Sequence, residues 1–257
     1  MINKIIGIAK EAAEVIKEGF GKNITIEFKT DESNLVTEID KKSEDIIINF
    51  IKKEFPSHNI LSEESGIHKA SSDYVWVIDP LDGTTNFAHK LPIFAVSIGL
   101  QKGDEILAGV IVDVMQNIVY AAELKGGAYA GSKKIYVNQN EKFTRSVLVT
   151  GFPYDIQDNP GSAIEVFGEM LKSVRAIRRL GSAAIDLCYT ASGVFDGFWE
   201  INLNPWDVAA GKLIVEEAGG LVTDYSGKEM NIFSKQIVAS NKVIHNSLLK
   251  VIKSVYK

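Results

Sequence analysis

Apolar residues at Ile2, Ile5, Ile6, Ala9, Ala12, Ala13, Ile16 and Phe20 recur at the spacing of one helix face. The pattern predicts an amphipathic first helix that stops near Gly19 or Gly21. The polar run from Lys29 to Asn34 reads as a loop. Thr37 with Asp40 three residues later has the form of a helix start. Ile39, Ile46, Ile47, Phe50, Ile51 and Phe55 then continue a second helix to Pro56. Beyond it the apolar runs shorten. Asn59–Leu61, Val75–Ile78, Phe94–Leu100, Gly109–Val114 and Ile118–Ala122 read as strands, and Gly126-Gly127 and Gly131-Ser132 mark turns between further short ones.

The second half alternates. Strands near Val147–Thr150, Arg175–Arg179 and Val194–Glu200 lead to helices near Ile164–Leu171, Ser182–Ala191 and Pro205–Ala218. Leu221–Thr223 and Ile237–Ala239 read as strands, and Val243–Val255 as a closing helix. There is no internal repeat, low-complexity tract or flexible linker. The economical organisation is one α/β unit over residues 1–257, with the shift in pattern marking two lobes at approximately 1–145 and 146–257.

The chain has 257 residues, ample for a buried core, and 46% hydrophobic with 24% charged residues is the balance of a globular protein. A net charge of −5 argues against a nucleic-acid partner or an anionic membrane surface. Charges interrupt the N-terminal apolar run before a signal-peptide core forms, and no run is long enough to span a bilayer, so a cytoplasmic location is expected. Cys188 is the sole cysteine, so no intramolecular disulfide forms, and its apolar surroundings suit a small buried hydrophobe.

The chemistry concentrates in acids. Trp76-Val77-Ile78 runs into Asp79-Pro80, where proline ends the strand and places Asp79 at its C-terminal end. Asp82 follows across a turn that Gly83 can close. Two such carboxylates repel each other unless a cation lies between them, and magnesium suits hard oxygen ligands, including the Leu81 carbonyl. Gly83-Thr84-Thr85-Asn86 opens a helical turn whose N–H groups can take a phosphate, with the Thr84 hydroxyl near the metal to orient water. Glu63 and Glu64 follow a strand, and Asp207 falls in the first turn of a helix. Each acid alone has a structural reading as turn former, solvated loop or helix cap. Their combination points to a metal site.

Other residues carry less. His58, His68, His89 and His245 lack metal-ligand spacing, although His89 lies near the Asp-Gly-Thr turn. Arg175, Arg178 and Arg179 form a basic cluster that suits a solvated strand or dimer contact, or a second phosphate. Trp206, Phe94 and Phe195 read as core.

The segments Glu63-Glu64-Ser65, Asp79-Pro80-Leu81-Asp82-Gly83-Thr84-Thr85 and Pro205-Trp206-Asp207-Val208-Ala209-Ala210-Gly211 resemble, in this order, the motifs of the inositol monophosphatase family. Asn34-Leu35-Val36-Thr37-Glu38-Ile39-Asp40 is similar to its N-terminal motif, and the resemblance extends through Glu216–Gly220. It implies an α/β fold, a layered α-β-α-β-α sandwich of the inositol monophosphatase / fructose-1,6-bisphosphatase type, with a homodimeric assembly and lithium sensitivity. It implies two to three Mg2+ ions. Glu63, Asp79 and the Leu81 carbonyl would bind the first. Asp79, Asp82 and Asp207 would bind the second. Glu63, with Asp40 through water, would hold a third. Glu63, Thr84 and Asp82 are then the catalytic residues, with Glu63 and Thr84 aligning the attacking water, and Glu64 lies near the site without being a principal ligand. The amides of Gly83 and Thr84 would contact phosphate. Gly181, Ser182, Ala183 and Glu200 would contact substrate hydroxyls, and Lys29 resembles a loop lysine near the site. Asn202-Leu203-Asn204-Pro205 departs from some animal members and looks like the bacterial branch.

The expected activity is Mg2+-dependent hydrolysis of a small phosphorylated polyol or sugar, foremost myo-inositol monophosphate, by a metal-activated water. Fructose-1,6-bisphosphatase activity is the near alternative. A 3′-nucleotidase acting on adenosine 3′,5′-bisphosphate and a histidinol phosphatase are more distant ones. A transcription-machinery interaction protein is the non-enzymatic alternative.

Overall fold

The structure, a computed structural model, describes residues 1–22, 25–28, 35–158 and 160–256. The expected loop 29–34, with Lys29, lies outside the described residues. In chain order the elements begin α1 (Ile2–Gly19), β1 (Ile26–Phe28), β2 (Leu35–Thr37), α2 (Glu38–Glu54), β3 (Asn59–Ser62), β4 (Gly66–His68), β5 (Tyr74–Asp82) and α3 (Thr84–Ala88). They continue β6 (Ala95–Lys102), β7 (Glu105–Asp113), β8 (Ile118–Glu123), β9 (Gly127–Ala130), β10 (Lys133–Lys134), β11 (Val147–Thr150), α4 (Ala163–Ser173) and β12 (Ala176–Arg178). The last are α5 (Ala183–Ala191), β13 (Gly197–Ile201), α6 (Pro205–Glu217), β14 (Leu221–Thr223), β15 (Gln236–Ser240) and α7 (His245–Val255). A short 3-10 turn at Phe143–Arg145 precedes β11.

Among the described residues the larger sheet has eight strands in the order β10-β9-β8-β7-β6-β5-β3-β4, and a second has five in the order β12-β11-β13-β15-β14. Helices α1 and α2 cover one face of the larger sheet through Ile5, Ile16, Ile47 and Ile51, which pack on Trp76, Ile78 and Ile98. Fully burying each such side chain is worth about 1.5–3 kcal/mol. Helices α5 and α6 fill the space between the sheets, with Leu187, Cys188, Ala209 and Ile214 in the central core. Helices α4 and α7 cover the far face of the five-stranded sheet through Val166, Met170 and Leu248. The result is the expected α-β-α-β-α sandwich. Among the described residues no helix is long and apolar enough to cross a membrane.

Two local details place the acids. Helix α2 begins with the expected cap: the Thr37 hydroxyl accepts from the N–H of Ile39 and Asp40, and the Asp40 carboxylate accepts from the Thr37 N–H at 2.9 Å. Strand β5 departs from the sequence reading, which ended it at Pro80. It runs on to Asp82, with Asp79 opposite Ser97 and Asp82 opposite Ala95. Pro80 and Leu81 thus oppose the single Val96, a bulge in which a residue lacking an N–H is tolerated. The pairing of β1 with β2 and the short β4 were also not anticipated.

Candidate active site

Strands β3 and β5 are parallel neighbours, so their carboxyl ends lie side by side. Glu63 leaves the end of β3 with its N–H donated to the Ile78 carbonyl at 3.1 Å, beside Asp79. The turn Glu63-Glu64-Ser65 joins β3 to β4. It is held by the buried Glu44 of α2, whose carboxylate accepts from the N–H groups of Glu64 at 3.2 Å and Ser65 at 3.0 Å.

At the end of β5, one Asp79 oxygen accepts the Leu81 N–H at 3.0 Å, and its carboxyl is hydrogen-bonded to that of Glu63. The Leu81 carbonyl lies 3.0 Å from the Thr84 hydroxyl, which is also 2.9 Å from the Asp40 carboxylate. Asp40 therefore reaches the site through Thr84. Gly83 stands between, at φ 93°, a left-handed conformation that glycine adopts without strain. An added Cβ there would press on the Ile93 carbonyl oxygen at 3.0 Å.

Asp82 ties the two sheets together through α5. Its carboxylate accepts from the Ser182 hydroxyl and from the Ala184 N–H at 2.8 Å, at the positive end of that helix. Ser182 in turn caps α5 by accepting the Ile185 N–H. Asn86 secures the same junction by donating to the carbonyls of Ile93 and Leu180, each at 2.8 Å. Asp207 arrives from the first turn of α6, where its carboxylate accepts the Asn204 N–H at 2.7 Å.

These acids share one cavity of about 110 Å³, lined by Glu63, Asp79, Asp82 and Asp207 together with Gly181, Ala183 and Glu200. Leu81, Gly83, Thr84 and Ser182 also border it. Asp40 stands behind Thr84, and the exposed His89 is not part of the wall. Of the three clustered arginines only Arg179 reaches the cavity. Sequence reasoning did not single out Asp186, Gly151, Phe152 or Tyr154, which also border it. Asp186 sits in a helix of small and apolar residues, and the other three follow an unremarkable strand.

The electrostatics are those of acids crowded out of water. Burial, then repulsion from Glu63, Asp82 and Asp207, pushes Asp79 well above the carboxylate range. Burial pushes Asp82 up to about 6 against the hydrogen bonds from Ser182 and Ala184. Asp207 is half-open to the cavity yet enclosed by protein, and burial and Glu63 raise it strongly. Burial takes Glu200 up to about 8, with Arg179 opposing. Asp40 is raised by burial as well.

Among the described residues no three His, Cys, Asp or Glu side chains are already drawn together as a ready cation cage. Asp79, Asp82 and Asp207 each give an oxygen to a protein donor instead. The donor set of carboxylates and one backbone carbonyl nevertheless matches a hard divalent cation such as Mg2+. The mutual repulsion of these buried acids is the kind that a cation relieves.

Comparison with known proteins gives a consistent set of relatives. The profile described as the Inositol monophosphatase family matches residues 1–256. The chain is 45% identical over 249 residues to "Phosphatase IMPL1, chloroplastic" of Arabidopsis thaliana, covering 94% of this chain and 67% of that protein. It is 38% identical to the "Inositol-1-monophosphatase" of Mesorhizobium japonicum, covering 98% and 96%. It is 39% identical to the "Fructose-1,6-bisphosphatase/inositol-1-monophosphatase" of Aquifex aeolicus, again covering 98% and 96%. Among solved structures, the extragenic suppressor protein suhB from Bartonella henselae superposes with a TM-score of 0.93 at 37% identity, covering 98% of this chain and 97% of that one.

Proposed function

The chain belongs to the inositol monophosphatase family and is a phosphoric monoester hydrolase, and from that premise we propose that it hydrolyses a small phosphorylated polyol, foremost myo-inositol monophosphate, with Mg2+. The observation that carries the reading is the cavity in which Glu63, Asp79, Asp82 and Asp207 meet from segments far apart in the chain. Glu63, Asp79 and the Leu81 carbonyl would hold one ion, and Asp79, Asp82 and Asp207 a second. Glu63, with Asp40 behind Thr84, would serve a third. Bound there, Mg2+ would neutralise phosphate charge, lower the pKa of water and stabilise the leaving alkoxide.

The protein's own part is positioning and charge. The Thr84 hydroxyl donates its proton toward Asp40 or the Leu81 carbonyl, which leaves an oxygen lone pair to accept from the attacking water. Glu63, on the other side, fixes that water's second hydrogen. The backbone N–H groups of Gly83 and Thr84, at the first turn of α3, meet the phosphate oxygens. Glu200, Ala183 and Gly181 face the alcohol. Lithium sensitivity, homodimeric assembly and a cytoplasmic location belong to the same reading.

A second reading, fructose-1,6-bisphosphatase activity, has one observation in its favour: Arg179 lines the cavity and could meet a second phosphate. The Aquifex relative's name pairs the two activities. Phosphate release should be measured side by side on myo-inositol 1-phosphate, fructose 1,6-bisphosphate, adenosine 3′,5′-bisphosphate and histidinol phosphate, with Mg2+ and with EDTA. The expected result is Mg2+-dependent release that is fastest on the inositol ester. Release that is equal with EDTA, or absent from all four esters, overturns the reading.

A further inference from the structure

Asp186 lies in the first turn of α5, is 1% exposed, and borders the cavity. No hydrogen-bond donor among the described residues reaches its Oδ1. The contrast with its neighbours is specific: Asp79 takes the Leu81 N–H, Asp82 takes Ser182 and Ala184, and Asp207 takes the Asn204 N–H. Buried polar atoms in native proteins are nearly always hydrogen-bonded, and Oδ1 is enclosed without a partner in a residue that borders the cavity, so a small turn of the carboxyl toward a ligand or water there would complete the bonding.

The surroundings say what kind of ligand fits. Glu200 and Asp82 are the acidic groups whose fields reach Asp186, and Arg179 is the opposing cation. Glu200 comes from β13 in the second sheet, and the pair borders the same cavity as Asp82 at the end of β5. Gly151 keeps room for the Glu200 carboxyl, since a Cβ at residue 151 would collide with it. Two buried carboxyls repel a second phosphate. They match an alcohol, whose hydroxyls each donate and accept.

We propose that Asp186 is a specificity-determining residue that, together with Glu200, reads hydroxyl groups on the alcohol portion of the substrate. The inference rests on the phosphatase reading given above and selects a polyol ester within it. Burial and the field of Glu200 hold the Asp186 carboxyl well above the carboxylate range, which favours the protonated form that can both donate to and accept from a hydroxyl.

The test compares myo-inositol 1-phosphate with p-nitrophenyl phosphate, which has no hydroxyl, at saturating Mg2+ on the full chain. Asp186→Ala should lower the ratio of kcat/KM for the inositol ester to that for the nitrophenyl ester about tenfold, the scale of one lost hydrogen bond, chiefly through KM. Asp186→Asn, which keeps both an acceptor and donors, should restore most of that ratio. Asp186→Ser replaces the Ala variant if that variant does not fold, with the same expectation. A ratio that stays at the wild-type value, or failure of all three variants to fold, overturns the proposal, because the carboxyl is then structural. Wild-type protein that hydrolyses neither ester overturns the phosphatase reading and this proposal with it. An active wild type with an unselective variant overturns this proposal alone.

Discussion

Replacing Asp82 by asparagine should make the metal-free protein more stable, and increasingly so as the pH rises. Burial moves the Asp82 carboxyl from its ordinary 3.8 to about 6 in the folded state. The sign follows from linkage. An acid with a raised folded pKa carries no penalty well below 3.8, acquires one as the pH climbs, and carries it in full above about 6. With those two values, the ionised group destabilises the metal-free fold by about 1.6 kcal/mol at pH 5 and about 3 kcal/mol at pH 8. The advantage of Asp82→Asn should therefore grow by about 1.4 kcal/mol over that interval, or about 3–6 °C in Tm for a chain of this size. The amide oxygen can still accept from Ser182 and Ala184, so the tie to α5 survives. The assay is thermal unfolding of both proteins in EDTA at pH 5 and pH 8. His245, whose pKa burial lowers to about 4, makes acid destabilise the fold, but it does so in both proteins and cancels in the difference. Magnesium at about a thousand times its Kd should invert the order at pH 8, since it then stabilises the wild type by about 4.1 kcal/mol and only the wild type keeps the full anionic set. An advantage that shrinks with rising pH, or a variant that gains as much from Mg2+ as the wild type, would refute the electrostatic account of the site.

Asp207→Asn removes an acid that caps α6 and faces the cavity. It should lower Mg2+-dependent phosphate release about a thousandfold, roughly 4 kcal/mol of barrier, as read by initial rates. Gly151→Ala drives a Cβ into the Glu200 carboxyl. It should reduce kcat/KM on the inositol ester about tenfold, and unchanged kinetics would show that Glu200 does not need its present position. Gly109→Ala puts a Cβ 2.8 Å from the Ala210 carbonyl oxygen where β7 meets α6. It should destabilise by about 2 kcal/mol and lower Tm by about 4–8 °C, as seen in calorimetry.

Much of the frame was legible because its signals are local. The Thr37–Asp40 cap, the strand leading to Asp79 and the acid in the first turn of α6 each depend on residues within a few positions of one another. The strand end was misplaced because proline forbids a regular ladder but not a bulge, and the bulge is decided by the partner strand β6. Asp186 escaped notice because Ala-Ala-Ile-Asp-Leu-Cys looks like a buried helix with a dipole-matched acid in its first turn. Only the packing of α5 between the sheets shows that this acid borders the same cavity as Glu200. Glu44 and Asn86 hold loops distant in sequence, at Glu64–Ser65 and Leu180, so no periodicity points to them.

The location of the site follows from the layering. Glu63, Asp79 and Asp82 come from the carboxyl ends of β3 and β5, where the larger sheet stops. Helices α5 and α6, packed between the sheets, bring their N-termini to the same place. Those ends supply N–H groups and positive dipole that partly offset the acids, through Ala184 to Asp82 and Asn204 to Asp207. The offset is incomplete, because Asp79, Asp82 and Asp207 all remain above their ordinary range. A site balanced this way sacrifices metal-free stability and would leave affinity for a hard cation in its place. That trade places Asp82 at the centre of both effects: it joins the sheets through Ser182 and Ala184, and the charge it carries is what a divalent ion would neutralise.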